Sequence, residues 1–314
     1  MSGQVLHVYY DTRFAPITFD FATFLVVADA ARQISNCSRI AIHIHRSNFR
    51  NKTLREVAYS EDVKLWRFKK IILGVTNLLP TIESVEWSSS APARLEYPYF
   101  PPSYPPRNSN EEADSIPYLY KYLLLIRKKN ETLNFRPFLS SELGREYVKS
   151  IFANDARKLI TITLRTSNQQ IERNSNIKVW HSVYCELKSA GYRCVVVPDF
   201  EDIIEAKLFD SVNWEIFLPA VFDQEIRLSL YSLAHLNLCV LNGVMVPLFH
   251  SPYPYSVFKP LVPQIHQTTE EWLKNQFGVS KDENFWWSTD RQHLNWIDDS
   301  SPERILSVLE RQLR

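Results

Sequence analysis

The spacing of apolar and polar positions changes repeatedly along the first ninety residues. Residues 5–10 are a short apolar run, the mark of a buried strand. In "ITFDFATFLVVADAARQIS" apolar residues recur at helical spacing with acids on other faces, and Thr18 stands where an N-cap belongs. Arg39–His45 alternates at period two, Ile40, Ile42 and Ile44 against Ala41 and His43. Residues 60–79 return to a helical period that Pro80 stops, and residues 85–87 read as a third strand. A β-α-β-α-β order predicts a parallel sheet with helices on its faces.

Residues 88–117 break this rhythm with "SSSAPARLEYPYFPPSYPPRNSN". A loop of that length inside a compact domain is usually functional or disordered. Its tyrosines fit an ordered surface loop and its prolines fit a polyproline linker. The βα pattern then restarts with a strand at residues 158–164. Ile177–Ser189 follows as a helix, then residues 192–197 as a strand, 223–236 as a helix and 238–241 as a strand. Glu270–Phe277 and residues 302–313 read as closing helices, with Ser300 at capping-box distance from Glu303. The expected architecture is α/β: two Rossmann-like domains, residues 1–155 and 156–314, facing a cleft.

Composition narrows the function. The 314 residues are 45% hydrophobic and 23% charged, enough for a sizeable core. Only six glycines are present, with neither a G-x-G-x-x-G nor a Walker A pattern, which argues against dinucleotide- and P-loop-binding folds. A net charge of +1 gives no support for nucleic acid as a partner. No apolar run is long enough to span a bilayer, and "MSGQVLHVYYD" lacks the features of a secretory leader, so the expected location is cytoplasmic. Cys37, Cys185, Cys194 and Cys239 lack C-x-x-C spacing and read as buried thiols of a reducing compartment. His43 and His45 share a strand face without a third partner, so no metal site is expected.

The candidate chemistry sits where strands hand over to helices. In open α/β sheets, ligands bind beyond the carboxyl ends of the strands. "LITITLRTSNQQIERNSNIKVW" places Arg165 directly after a strand, with Arg173, Asn174 and Asn176 before the next helix. A guanidinium there can grip phosphate oxygens with two prongs, and the helix start adds partial positive charge. The same loop could instead be an ordinary polar connection with helix caps and solvated arginines. "LNLCVLNGVMVPLFH" places Asn242 and Gly243 after another strand, where a tight turn opens backbone amides. Asp199 ends a third strand, with Glu201 and Asp202 beyond it, suited to ribose hydroxyls or to capping the next helix. Lys259, in "YSVFKP", is a further cation near the second loop. Asp298 and Asp299 precede a helix and read as dipole-favoured acids.

Strand–"LRTS"–polar loop–helix, then strand–"PD", then strand–"NG"–helix, resembles the donor-binding domain of GT-B glycosyltransferases. The nearest branch in pattern is the α-1,6- and protein-O-fucosyltransferase group, whose motif arginine binds the nucleotide-sugar diphosphate. Arg165 stands at that position, with Thr163 in place of the motif's histidine and Ser167 in place of its acid. The resemblance spans residues 156–250. It implies a metal-independent glycosyltransferase without a cofactor, taking a nucleotide-diphosphate sugar, a GDP-sugar by preference. The acceptor would be a glycan, a lipid-linked saccharide or a protein. Arg165, Arg173, Asn174, Asn176, Asp199, Asn242, Gly243 and Lys259 would hold the donor. Asp20 or Asp11 in the acceptor-side domain would serve as base. The alternatives are a non-catalytic glycan- or partner-binding protein of this fold and a nucleotide-sugar epimerase.

Overall fold

A computed structural model describes residues 4–90, 98–104, 120–128, 132–200 and 213–313. The chain divides into two compact units, Met1–Leu139 and Ser140–Arg314, each built on its own parallel sheet. The division falls ahead of the helix Glu142–Phe152, which the sequence reading placed in the first domain. That helix buries Gly144 and Val148 and packs on the helix Gln224–Leu233. Its sequence position before the second sheet gave no hint of which unit it joins.

In the first unit, strands β1 (Val5–Asp11), β2 (Arg39–His45), β3 (Ile82–Ser88) and β4 (Tyr99–Phe100) lie in the order β3-β2-β1-β4. Successive strand residues point to opposite faces. Leu6, Val8 and Tyr10 of β1 therefore share one face with Ile40, Ile42 and Ile44 of β2. The helix Asp20–Ile34 packs here, its Phe21 and Phe24 rings 4.6 and 4.9 Å from Tyr10. The helix begins at Asp20, two residues after the expected cap, and Thr18 Oγ1 accepts from the Asp20 amide at 3.4 Å. The helix expected over residues 60–79 is interrupted. Glu61–Arg67 is α-helical, Phe68–Ile72 is a π-segment and Leu73–Thr76 is α-helical again. Of the Pro- and Tyr-rich stretch, β4 and its neighbours are described, while residues 91–97 and 105–117 lie outside the described residues.

In the second unit, β5 (Leu159–Thr163), β6 (Arg193–Val197), β7 (Leu236–Val240), β8 (Tyr255–Phe258) and β9 (Gln292–Leu294) lie in the order β6-β5-β7-β8-β9. Near-continuous apolar runs follow from burial on both faces of a parallel sheet. Val179, Trp180, Val183, Tyr184 and Leu187 of the helix Ile177–Ser189 cover one face together with Ile305 and Leu309 of the helix Pro302–Gln312. The N-cap of that last helix is Ser301, whose hydroxyl accepts from the Arg304 amide, and not a residue at the Ser300 position. The one polar residue of β7, Asn237, is fully buried and satisfied. Its carboxamide accepts from Thr161 Oγ1 at 2.6 Å and donates to the Tyr231 and Pro254 carbonyls.

Among the described residues no helix is long and apolar enough to cross a membrane, and no cluster of three or more His, Cys, Asp or Glu side chains could hold a metal ion. Cys37, Cys194 and Cys239 are buried, but Cys185 is exposed on its helix, which corrects the expectation of four buried thiols.

Candidate functional site

Three connections at the carboxyl ends of β5, β7 and β8 form one hydrogen-bonded assembly. Residues 164–176 link β5 to the helix Ile177–Ser189. Their centre is Arg165, only 4% exposed. Its guanidinium donates to the Gln170 carbonyl at 3.0 Å, to the Gln169 carbonyl at 2.6 Å and to Asn174 Oδ1. Asn174 also accepts from the Ser167 amide and donates to the Ser167 carbonyl. Ser175 and Arg165 bind each other through their backbones, and the Ser175 hydroxyl accepts from the Arg165 amide. The loop therefore closes around the guanidinium. The guanidinium thus folds back on its own loop. Nη1 and Nη2 of the planar fork meet oxygens that the loop presents as it turns through Gln170 at φ 51°.

Arg173 ties this loop to the end of β7, donating to the Leu241 carbonyl at 3.1 Å and to Gln170 Oε1 at 2.9 Å. Lys259, directly after β8 at φ 53°, ties it to the third strand. Its ammonium donates to the Asn174 carbonyl at 2.6 Å and pairs with Asp299 at 3.2 Å. Asp299 is 3% exposed and holds more than this lysine. Its Oδ2 accepts from the Asn176 amide at 2.7 Å and from the Trp180 indole at 3.2 Å. Asn176 in turn caps its helix, accepting from the Val179 amide at 3.4 Å. Asp299 was read as a dipole-favoured acid. It is instead the buried junction beneath the loop, which a spacing of over a hundred residues hides from any local pattern. Asp298 alone fits the helix-end reading, bound to Ser300 and Arg304.

Asn242 is half-buried and Gly243 exposed at the end of β7. They open the helical turn Gly243–Met245, continued by Val246–Phe249. The first amides of such a turn have no intrahelical partner. The turn rests on Tyr231, whose hydroxyl lies 2.7 Å from Thr163 Oγ1 and donates to Met245 Sδ at 3.6 Å. Burial raises the Tyr231 phenol above its ordinary range. Asp199 lies two residues beyond the end of β6, on the other side of β5 from β7. Its carboxylate accepts from the Phe200 amide at 2.8 Å, a turn-forming contact. Glu201 and Asp202 lie outside the described residues. Thus Arg165, Arg173, Asn174, Asn176, Asn242, Gly243 and Lys259 gather at the carboxyl ends of β5, β7 and β8, and Asp199 follows β6 at the same end of the sheet.

The first unit carries the two candidate bases. Asp11 is fully buried, with both oxygens engaged. They accept from Arg13 at 2.7 and 3.0 Å and face His45 Nδ1 at 3.2 Å, while His45 Nε2 faces the Ser89 carbonyl at 3.1 Å. No oxygen of Asp11 is open to an acceptor, which corrects its expected role as base. The same sheet face holds His7, Tyr9 and His43, and Tyr104 stacks on Tyr9 at 4.3 Å. Burial and the Asp11 charge push the Tyr104 phenol up to about 12. Asp20 differs from Asp11. It is half-buried in the first turn of its helix and accepts from Thr18 Oγ1 at 2.6 Å.

No family model matches the sequence, and no curated protein matches it. Solved structures do. A glycosyl transferase family 9 structure from Veillonella parvula aligns over 100% of this chain and 98% of its own, at 10% identity and a TM-score of 0.52. The E. coli ADP-heptose lps heptosyltransferase II aligns over 99% and 98%, at 10% identity and a TM-score of 0.55. The fold is the GT-B glycosyltransferase fold. At this identity the likeness covers architecture, from end to end of both chains, and leaves the chemistry to be argued from the residues.

Proposed function

We propose that the protein is a glycosyltransferase that takes its donor, a nucleoside-diphosphate sugar, at the carboxyl ends of β5, β7 and β8. The observation that carries this reading is the gathering of Arg165, Arg173, Lys259 and the Asn242 and Gly243 turn at the sheet end where ligands bind in open α/β folds. Arg165 and Arg173 are held by neutral oxygens, so their charge stays in the loop and favours a diphosphate. Lys259, paired with Asp299, acts as a strut.

In transfer, the bond between the anomeric carbon and the diphosphate oxygen breaks as the bond to an acceptor hydroxyl forms. The fixed cations and turn amides offset charge on the departing diphosphate, with no metal in the scheme. The acceptor's proton goes to Asp20, and Asp11 with Arg13 and His45 fixes the strand ends that lead to Asp20. The GDP preference rests on the fucosyltransferase resemblance alone. One structural neighbour is named for ADP-heptose, so adenine and guanine donors belong in the same test.

The experiment is a thermal-shift panel of ADP-, GDP-, UDP-, dTDP- and CMP-sugars. A ligand at about a hundred times its Kd stabilises by roughly 2.7 kcal/mol, well within detection. Binding of no member would remove the reading. With the donor known, Asp20→Asn should lower turnover by about 10²–10⁴ and leave donor affinity unchanged. Full turnover would return the role of base to another residue.

A further inference from the structure

The first unit holds a cation that the scheme above does not use. Arg46 follows directly on β2, beyond the carboxyl end of that strand. It is half-buried, and three aromatic rings hold its charge. The guanidinium carbon lies 5.3 Å from the ring centre of Trp87, 5.5 Å from that of Phe68 and 5.7 Å from that of Phe49. Each is within the ~6 Å reach of a cation–π contact. Phe68 is buried, while Trp87 is 52% exposed, so the cradle has one wall in the core and one open to solvent.

Among the described residues, no oxygen accepts a hydrogen bond from this guanidinium and no carboxylate pairs with it. Three other arginines of the unit do meet acids. Arg13 lies 2.7 Å from Asp11, Arg32 2.7 Å from Asp29 and Arg50 3.3 Å from Glu56. Ring faces attract a cation but accept only weak hydrogen bonds, so the N–H fork of Arg46 stays unspent. A side chain already fixed by packing loses less freedom when it binds a ligand. The fork itself matches the two oxygens of a carboxylate or phosphate.

The neighbouring chain is ordered around the same point. The Arg46 amide donates to the Ser88 carbonyl at 2.8 Å, which ties the ends of β2 and β3 together. Ser88, Ser89 and Ser90 are exposed there, and the Ser90 amide donates to Ser88 Oγ at 3.1 Å. In open α/β sheets this end of the strands is where ligands bind.

We propose that Arg46 anchors an oxyanion-binding site in the first unit, and that its ligand is an acidic saccharide gripped by a carboxylate or phosphate group. The inference rests on the glycosyltransferase reading in one respect: on that reading the saccharide is the acceptor. A neutral sugar meets the fork only through hydroxyls, which bring no charge to balance it. Arg46 therefore selects acidic acceptors over neutral ones.

The test is ligand-observed NMR titration of the full chain with galacturonic acid, glucose 6-phosphate, galactose and glucose. The readout is the affinity of each acidic sugar relative to its neutral counterpart. The parent should favour at least one acidic sugar by about tenfold or more, and which one names the carboxylate or the phosphate as the group bound. Arg46→Gln should abolish that preference with its melting curve close to the parent's. Arg46→Lys keeps a cation among the rings without the fork, and should lose most of the preference. No preference in the parent, or a preference that survives in Arg46→Gln, overturns the inference. Should Arg46→Gln fail to fold, Arg46→Lys is read instead, where a threefold or larger drop supports the inference and no drop overturns it. The donor panel is independent of this result. Donor binding without an acidic preference removes this site alone, and an Arg46-dependent preference without donor binding removes the transferase reading alone.

Discussion

Removing the Asp299 carboxylate should collapse the scaffold of the donor loop. Three donors converge on it: the Asn176 amide at 2.7 Å, the Trp180 indole at 3.2 Å and the Lys259 ammonium at 3.2 Å. Trp180 is fully buried, so its N–H has no water to turn to. A buried donor left without a partner costs about 1–3 kcal/mol. Lys259 is 16% exposed, so its loss is partly met by solvent and is discounted. Asp299→Ala should therefore destabilise the second unit by about 3–5 kcal/mol, the range for breaking one side of a buried pair. For a unit of this size each kcal/mol moves Tm by about 2–4 °C, so the expected drop is about 6–20 °C. Asp299→Asn keeps an acceptor for one of the N–H groups and should lose roughly half as much. The assay is thermal unfolding of the full chain followed by tryptophan fluorescence, with the two units fitted as separate transitions. A drop below about 3 °C for Asp299→Ala would show that water replaces the carboxylate and that it is no junction. Equal losses for Ala and Asn would instead place all the energy in the Lys259 pair, a result that a Lys259→Met double-mutant cycle would check.

Arg165→Ala should release the loop at residues 164–176. It should cost both donor binding and about 2 kcal/mol or more of stability, because three carbonyl partners are left behind. Arg165→Lys should rescue poorly, and near-parental donor affinity in either variant would deny the loop a role. The His43 ring is held below its ordinary pKa by burial and by neighbouring His7, against the pull of Glu86. The unfolded chain therefore takes up this proton first as pH falls, so stability conferred by neutral His43 is complete above about 6.5 and declines below it. In His43→Gln the fall in Tm between pH 7 and 5 should be shallower, and an unchanged slope would assign the acid sensitivity elsewhere. Under native conditions a thiol reagent should modify one cysteine, Cys185, since Cys37, Cys194 and Cys239 are buried. Mass spectrometry that finds two or more rapidly modified sites would contradict this packing.

Period alone set much of the architecture. Arg39–His45, Ile177–Ser189 and Glu270–Phe277 fall where alternation or helical spacing places them, and the restart of the βα pattern announces a second sheet. Such elements are legible because a strand or helix buried on a known face must repeat its apolar residues at a fixed interval. The short strands β4, β8 and β9 are not legible, since two to four residues are too few to establish a period. The rule that ligands sit at the carboxyl ends of parallel strands likewise groups Arg165, Arg173, Asn242 and Lys259 from their places in the sequence alone. Direction was another matter. Whether a guanidinium reaches out or folds back depends on which carbonyls its loop turns toward it, and Gln170 decides that for Arg165. Burial separated Asp11 from Asp20, two acids that look alike in the sequence. The role of Asp299 belongs wholly to the tertiary structure. It depends on partners brought close by packing, the Trp180 indole and the Lys259 ammonium. A sequence fixes which groups a chain carries and how often they recur. Which of them lose water, and what faces them when they do, is settled only when the sheet and its helices close.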